Sequence, residues 1–285
     1  MKICFPARNK NNEHYATLDD MMGCLARETH GSWLAGTNRM WHGGIHLTET
    51  SAPGAMLRAR AMDSAYPLQC MADGEVVAWR VNRDYLGNTY NGQALRYSTT
   101  FVLVRSLCRP DPRNDRTWLE FYSLYMGLAP LSAFVKRKCM RVIASRGVRK
   151  RQAGKNDTYR TQTGVGPVPP AQGILAKDCR VLILEESRFT NHGENQPFGL
   201  ARELDKEGRV VGKAFWVTTL PENMIAEGEH YTHLPAWMQY AVAQGKFDAV
   251  VQPATRLAIQ AGDAIGFLGE EIVPAGNGKT SPGAY

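Results

Sequence analysis

Asp73-Gly-Glu-Val-Val-Ala-Trp-Arg-Val81 combines a turn dipeptide with a run of residues that favour a β-strand. Two further runs of this kind follow, Phe101-Val-Leu-Val-Arg105 and Trp118-Leu-Glu-Phe-Tyr-Ser-Leu-Tyr-Met126. Apolar residues in these runs are nearly continuous instead of alternating with polar ones. Because such strands bury both of their faces, the three runs predict a sheet that is covered on both sides.

More strands are predicted on the C-terminal side, and helices are predicted at two places. Thr17 and Asp20 form a capping-box pattern ahead of apolar residues at helical spacing, and Pro235–Gln244 carries a second helical pattern. The sequence therefore predicts a mainly β protein with an N-terminal helical segment over residues 1–40. The later strand-like segments are Arg180–Leu184, Lys213–Val217, Phe247–Val251, Leu257–Gln260 and the turn and strand Ala261–Gly269.

The composition of the 285 residues excludes several classes of protein. Hydrophobic residues make up 44% of the chain, which suffices for a core and excludes a disordered or collagen-like chain. No apolar run reaches the roughly 18 residues of a membrane span, and the polar N-terminus does not resemble a secretory signal. The six cysteines form no Cys-x-x-Cys pair, which argues against a thiolate zinc finger and against a disulfide scaffold.

The net charge of +7 is concentrated in one stretch, since ten Lys or Arg and one Asp lie between Val135 and Arg160. Such a charge attracts nucleic acid, anionic membranes and anionic wall polymers. The stretch has only Tyr159 as a stacking aromatic, so we expect no nucleic-acid partner. Its weak periodicity and the Gly164-Val-Gly-Pro-Val-Pro-Pro170 end predict a flexible basic linker, with contact to an anionic polymer as a secondary role.

Trp41-His-Gly-Gly-Ile-His46 is the most informative string for chemistry. Imidazole is the commonest metal ligand, and zinc holds its nitrogen ligands at about 2.0–2.1 Å. A straight strand would separate His42 from His46 by about 13 Å, but the double glycine permits a bend that brings both rings to one ion. The alternative is two unrelated histidines that flank a tight turn.

This string resembles the first metal motif of the LytM/lysostaphin-like zinc metallopeptidases, and three later segments resemble that family's next landmarks in order. The resemblance implies a β-sheet body over residues 41–135 and 247–285 that binds Zn²⁺ through His42 and His46 and acts on peptidoglycan. The three segments are Pro67–Ala78, which resembles an Asp-Gly hairpin, Phe121–Leu128, which resembles a strand ending in Tyr-x-His-Leu, and Gln260–Gly269, which resembles a Gly-Asp-x-Ile-Gly strand.

The segment between the two halves resembles a bacterial Src-homology-3-like barrel. Gly173–Leu184 is similar to the opening strand pair of such barrels, and Gly212–Val217 is similar to their closing Gly-x-x-x-Trp-Val. In wall-active enzymes such barrels often bind peptidoglycan. Residues 136–246 are therefore expected to hold the basic linker and an inserted small β-barrel.

Three departures from the family pattern put its catalytic site in doubt. His46 stands at the position of an aspartate ligand, and Gly127 stands at the position of a catalytic histidine. The family's last His-x-His motif is expected shortly after Gly269, yet no histidine follows it. Either the natural chain continues past Tyr285 into that motif, which we favour, or the site is incomplete. The third zinc ligand is then sought among His30, His230, His233 and Glu49.

The resemblance implies a zinc-dependent amidase or endopeptidase of the bacterial cell wall. Without a signal peptide, we expect a protein made in the cytoplasm and exported by a dedicated machine, as an antibacterial effector of the type VI secretion kind. Its site of action would be the periplasm or wall of a target cell, and its partners a secretion carrier and an immunity protein. The alternatives are a catalytically inactive module that binds peptidoglycan or activates a hydrolase, and an anionic-polymer binder of unrelated fold.

Overall fold

The computed structural model describes residues 1–28, 44–58, 64–154, 166–206, 208, 210–276 and 279–284. Strands make up 48% and helices 10% of the protein, which confirms the mainly β class. The two α-helices of the described part are α1 (Leu18–Leu25) and α2 (Ala236–Gln244). The strands are β1 (Leu68–Gln69), β2 (Gly74–Arg80), β3 (Leu86–Tyr90), β4 (Gln93–Tyr97), β5 (Thr100–Cys108), β6 (Leu119–Leu128), β7 (Lys136–Val142), β8 (Val148–Gln152), β9 (Ala171–Leu175), β10 (Arg180–Asn191), β11 (Glu194–Leu204), β12 (Val210–Thr218), β13 (Met224–Tyr231), β14 (Leu257–Ile259), β15 (Ala264–Gly266), β16 (Glu270–Gly276) and β17 (Lys279–Ala284).

The chain divides into two compact units, one of which is continuous in sequence. The host unit consists of Met1–Phe134 and His233–Tyr285, and the inserted unit consists of Val135–Thr232. Both helices belong to the host unit. Helix α2 therefore lies outside the inserted unit, although the sequence predicted it within residues 136–246.

The host unit contains three antiparallel sheets in its described residues. The strand orders are β14-β2-β5-β6, β17-β16-β4-β3 and β1-β15. Trp79 is fully buried and its ring meets that of Tyr240 on α2 edge to face at 5.8 Å. Trp237 anchors the same helix, because its indole N–H donates to the Ile265 carbonyl at 2.8 Å. These contacts bury α2 against the host sheets.

Helix α1 begins as its sequence predicts. The Thr17 hydroxyl accepts from the Asp20 N–H at 3.1 Å, and the Asp20 carboxylate accepts from the Thr17 N–H at 3.1 Å. This reciprocal capping satisfies backbone donors that a helix start leaves without partners. Met21 and Leu25 are the buried residues of the helix. The predicted N-terminal helix is confirmed.

Strand β6 does not have the predicted cover on both faces. It is the outer strand of its sheet, and its Tyr122, Leu124 and Met126 side chains are 55%, 53% and 68% exposed. The residues between them are partly buried, so burial alternates along the strand. The prediction was wrong because the apolar run reflects β-propensity as well as burial, and only the fold decides which face is covered.

The inserted unit is one antiparallel sheet of seven strands with the order β13-β7-β10-β11-β12-β8-β9. Its core is formed by buried side chains that alternate along neighbouring strands. In the described residues the strand order runs from β13 to β9 without a pairing that closes the sheet into a barrel. The core residues are Met140, Val142, Val148, Leu175, Val181, Ile183, Ala201, Phe215, Val217 and Met224.

The prediction of a flexible basic linker is wrong for residues 136–152, which form β7 and β8. Three of their cations, Lys138, Arg141 and Lys150, are paired with acids on other strands, as in the ion pairs Lys138–Glu186 at 3.1 Å and Lys150–Glu203. Opposite charges on neighbouring strands stabilise a sheet, so the charge here belongs to strand surfaces. The remainder of the basic run, residues 155–160, lies outside the described residues.

None of the helices in the described part of the chain has the length and apolar character needed to cross a membrane.

Candidate functional site

Two of the segments that carry the family resemblance are joined by hydrogen bonds in the host unit. The Asp73 carboxylate accepts from the Ala261 N–H at 3.0 Å and from the Lys2 N–H at 2.6 Å. The bonds from Ala261 and then Lys2 lower the pKa of Asp73. The Gln69 side-chain amide donates to the Gly262 carbonyl at 3.1 Å. The Asp-Gly turn before β2 and the Gly-Asp turn before β15 therefore hold each other in place.

The end of β6 meets the segment after β15, which we call the 267–269 segment. The Ala129 N–H donates to the Phe267 carbonyl at 2.9 Å, and the Gly269 N–H donates to the Gly127 carbonyl at 3.0 Å. A Cβ on Gly269 would stand 2.5 Å from the Gly127 carbonyl oxygen. Glycine is needed at position 269 because the two backbones approach so closely there.

Gly127 has a left-handed backbone, with φ of 74°. An L-residue pays a steric penalty in this region, so the backbone conformation of this position favours glycine. The family's catalytic histidine would stand here. Gly127 has no side chain for acid–base work, and its backbone differs from that of a regular strand.

The chain that follows His46 reaches the 267–269 segment at Ala55 and Met56. The Leu268 N–H donates to the Ala55 carbonyl at 2.8 Å, and Met56 and Leu268 form a parallel bridge. His46 itself is half-buried. The predicted partner ligand His42 lies outside the described residues, as does the candidate His30.

Glu28 fixes the turn that follows His46. Its side chain is 7% exposed, and its carboxylate accepts from the Thr48 N–H at 3.0 Å and the Thr48 hydroxyl at 2.7 Å. The Ser51 N–H donates to the same carboxylate at 3.1 Å, and the Ser51 hydroxyl also donates to it. A buried carboxylate is tolerated when donors surround it. We therefore assign Glu28 a structural role that the sequence analysis missed, since no local pattern links it to Thr48.

The structure separates the candidates for a third zinc ligand. His230 lies on β13 in the inserted unit. His233 lies in the host unit, and its ring meets the Phe267 ring edge to face at 6.4 Å. The Glu49 carboxylate is engaged by Arg58 at 2.7 Å. Of these three, His233 is the one placed against the 267–269 segment.

His233 places one imidazole beside this segment, and imidazole nitrogen is a ligand that zinc takes. Within the described residues no three His, Cys, Asp or Glu side chains are grouped so that they could hold a metal ion. His46 and His233 supply imidazoles from the described part of the host unit, and His42 falls outside it. All six cysteines are free, and burial raises the pKa of Cys70, which suits packing rather than metal binding.

Tyr125 of β6 has a structural role. Its hydroxyl accepts from the Met71 N–H at 2.8 Å, and burial raises its pKa well above the usual value. The phenol therefore stays protonated over the physiological range and links β6 to the segment before β2.

No protein-family model, curated protein or solved structure matches the chain. The resemblances to the metallopeptidase family and to the small barrel therefore remain predictions from sequence.

Proposed function

We propose that the host unit is a zinc-dependent peptidoglycan hydrolase domain that cuts an amide or peptide bond of the bacterial wall. The observation that supports it most is the meeting of the resembling segments at β15 and at the residues on either side of it. The end of β6 and the Ala55–Met56 part of the chain after His46 bond to residues 267–269, and the Asp-Gly turn bonds to Ala261 just before β15. Sequence order alone does not require these segments to meet.

The zinc ligands in this proposal are His42, His46 and His233. The first two come from the Gly-Gly turn string, and the position of His233 beside Phe267 supports it as the third. Zinc in such a site would lower the pKa of a bound water to about 7 and so supply a nucleophile for hydrolysis. The inserted unit would bind the glycan–peptide polymer, and the protein would act as an exported antibacterial effector with a secretion carrier and an immunity protein as partners.

Zinc content per chain, measured by elemental analysis, tests the metal site. The wild type should hold close to one zinc, and His42→Ala with His46→Ala should abolish it. His14→Ala with His192→Ala is the matched control, since both side chains are exposed. Release of soluble fragments from purified peptidoglycan should follow the zinc content across these variants. A wild type without zinc would exclude the hydrolase for this chain.

The assignment of His233 as the third zinc ligand is tested with a paired control. His233→Asn should weaken zinc binding, whereas His230→Asn should leave it unchanged because His230 lies in the inserted unit. Asparagine is chosen because His233 has φ of 64°, and Asn tolerates this conformation better than most residues. Equal zinc affinities for the two variants would remove His233 from the site.

The second candidate function is a catalytically inactive module that binds peptidoglycan or activates a partner hydrolase. The observation that favours it is Gly127, which has neither the side chain nor the strand backbone of a catalytic histidine position. This function predicts that the protein sediments with purified peptidoglycan and releases no fragments, with or without added zinc. If that sedimentation disappears steeply with salt, charge alone would explain it and the anionic-polymer alternative would apply.

A further inference from the structure

A groove of about 400 Å³ lies on the host unit, between Arg83 and the chain that follows helix α2. Its volume falls within the range of small-ligand sites. The groove is lined by Arg83 and by the segments 245–247 and 249–252. No step of the proposed hydrolase function uses these residues.

The first relevant feature of the groove is a short unpaired edge of backbone, where Val251 makes an isolated β-bridge. Val251 pairs with Trp79 of β2 through both backbone bonds, at 2.8 and 2.9 Å. Because backbone groups alternate in direction along an extended strand, the Val250 carbonyl and the Gln252 N–H point away from β2. Neither Val250 nor Gln252 has a backbone partner in the described part of the chain. Such an edge is a template for an added strand.

The second feature is positive charge without a counter-ion. The Arg83 guanidinium lies over the Phe247 ring at 4.9 Å, and Lys246 is exposed. Neither side chain forms an ion pair within the described residues. The nearby Asp248 is an acid, but it forms no ion pair with either side chain in the described residues; its carboxylate oxygen accepts from the Asn82 amide at 3.3 Å and from the Arg83 backbone N–H at 3.1 Å.

The third feature is an apolar surface beside this charge. Val250 is 55% exposed, and Phe247 lines the groove next to it. Backbone hydrogen-bonding groups, two cations and apolar side chains match the end of a peptide, which offers a main chain, a carboxylate and side chains. A nucleic acid or a lipid headgroup would have no use for the unpaired strand edge.

We propose that this groove binds the C-terminal end of an extended peptide, which pairs with the backbone of residues 250–252 while Arg83 and Lys246 neutralise its carboxylate. The apolar lining favours an apolar last residue. This binding site goes beyond the proposed hydrolase, and its existence does not depend on zinc.

A nuclear magnetic resonance titration tests the site directly. The probe is the peptide acetyl-Gly-Ala-Val-Leu with a free carboxylate, added to the full ¹⁵N-labelled chain. We expect saturable shifts of the Lys246, Phe247, Val250 and Gln252 amide signals. Amidation of the peptide C-terminus should weaken binding about tenfold or more, because a charge-assisted contact is lost. No shift of these signals at millimolar peptide, or equal binding of the amide, would overturn the proposal.

Variants separate the contribution of the two positive charges to binding from that of the unpaired backbone edge. Arg83→Gln with Lys246→Gln should weaken peptide binding about tenfold or more. The control, Lys10→Gln with Arg113→Gln, removes the same number of charges from exposed positions outside the groove and should have no effect on binding. Gln252→Pro removes the backbone N–H that points away from β2. It should therefore weaken binding of the peptide without weakening binding of sodium octanoate. Octanoate carries a carboxylate and an apolar tail but no amides. If octanoate binds as tightly as the peptide, the groove is a site for apolar carboxylates and the peptide assignment is wrong.

Discussion

The carboxylate of Asp73 joins three segments of the host unit, since it begins the turn before β2 and accepts from Ala261 and Lys2. These bonds lower its pKa in the folded state. An unfolded Asp has a pKa of about 3.9. The stabilisation is therefore present above about pH 4 and is lost as the pH falls through the folded pKa.

Asp73→Asn should lower the free energy of unfolding at pH 7 by about 1 kcal/mol, because hydrogen bonds to a charged acceptor are replaced by weaker ones. The difference from wild type should shrink at strongly acid pH, as the pH falls through the lowered pKa of Asp73 and its side chain becomes neutral. Urea denaturation at both pH values measures this. Asp115→Asn, which neutralises an exposed Asp, should have little effect at either pH. A constant difference across pH would contradict the assigned role of the charge.

Gly127 provides a second test at the level of one residue. Gly127→Ala should lower the free energy of unfolding by about 1 kcal/mol, because φ is 74°. Gly127→His should destabilise in the same direction, so we expect that restoring the family's residue alone creates no hydrolase. The control is Gly23→Ala in the exposed middle of α1, which should stabilise by about 1 kcal/mol. Thermal unfolding compares the stabilities of the three variants. A Gly127→His chain that hydrolyses peptidoglycan would refute the expectation that this substitution alone creates no hydrolase.

At the scale of one element, β6 shows that apolar sequence and burial are separate properties. Its exposed Tyr122, Leu124 and Met126 form a stripe on the outer strand of a sheet. Exposed apolar strands at a sheet edge favour association. The host unit therefore has more apolar surface on this strand than its own stability needs.

Leu124→Thr with Met126→Thr should change the free energy of unfolding by no more than about 0.5 kcal/mol, as is usual for exposed positions. The double variant should also aggregate at a higher temperature, which light scattering on heating can measure. Val104→Thr in the neighbouring β5 is the matched control, because Val104 is 1% exposed and a buried hydroxyl costs about 1–3 kcal/mol. A large loss of stability in the double variant would mean that the stripe is covered.

At the scale of the whole molecule, the inserted unit is a continuous segment that forms a sheet of its own. The two ends of the inserted unit lie together, because the Thr232 N–H donates to the Val135 carbonyl at 2.9 Å. Adjacent ends are the arrangement in which domain insertion is best tolerated. The inserted unit also has its own buried core.

Residues 135–232 produced alone should therefore fold cooperatively, and residues 1–134 joined to 233–285 by a short glycine linker should fold as the host unit. Circular dichroism and dispersion of the amide proton signals measure both. As a control, a fragment of residues 150–232 lacks β7, which lies between β13 and β10 in the sheet, and should not fold. If residues 135–232 alone lack a cooperative transition, the inserted unit depends on the host and the division is wrong.

The sequence by itself determined the local features: the capped helix α1, the strands β2, β5 and β6, and helix α2. These were predictable because capping, turn dipeptides and apolar spacing act within a few residues. The Gly-Gly histidine string was also visible, although its use of zinc stays a prediction.

Only the tertiary structure decided what distant contacts control. The basic run forms strands, and its Lys138 and Arg141 meet Glu186 and Glu227, which are 48 and 86 positions away. His233 was separated from His230 by the boundary between two units. The groove beside Arg83 exists because Val251 pairs with Trp79 across most of the host sequence. Such contacts bring together groups that no local pattern links, so their partners become known only once the chain has folded.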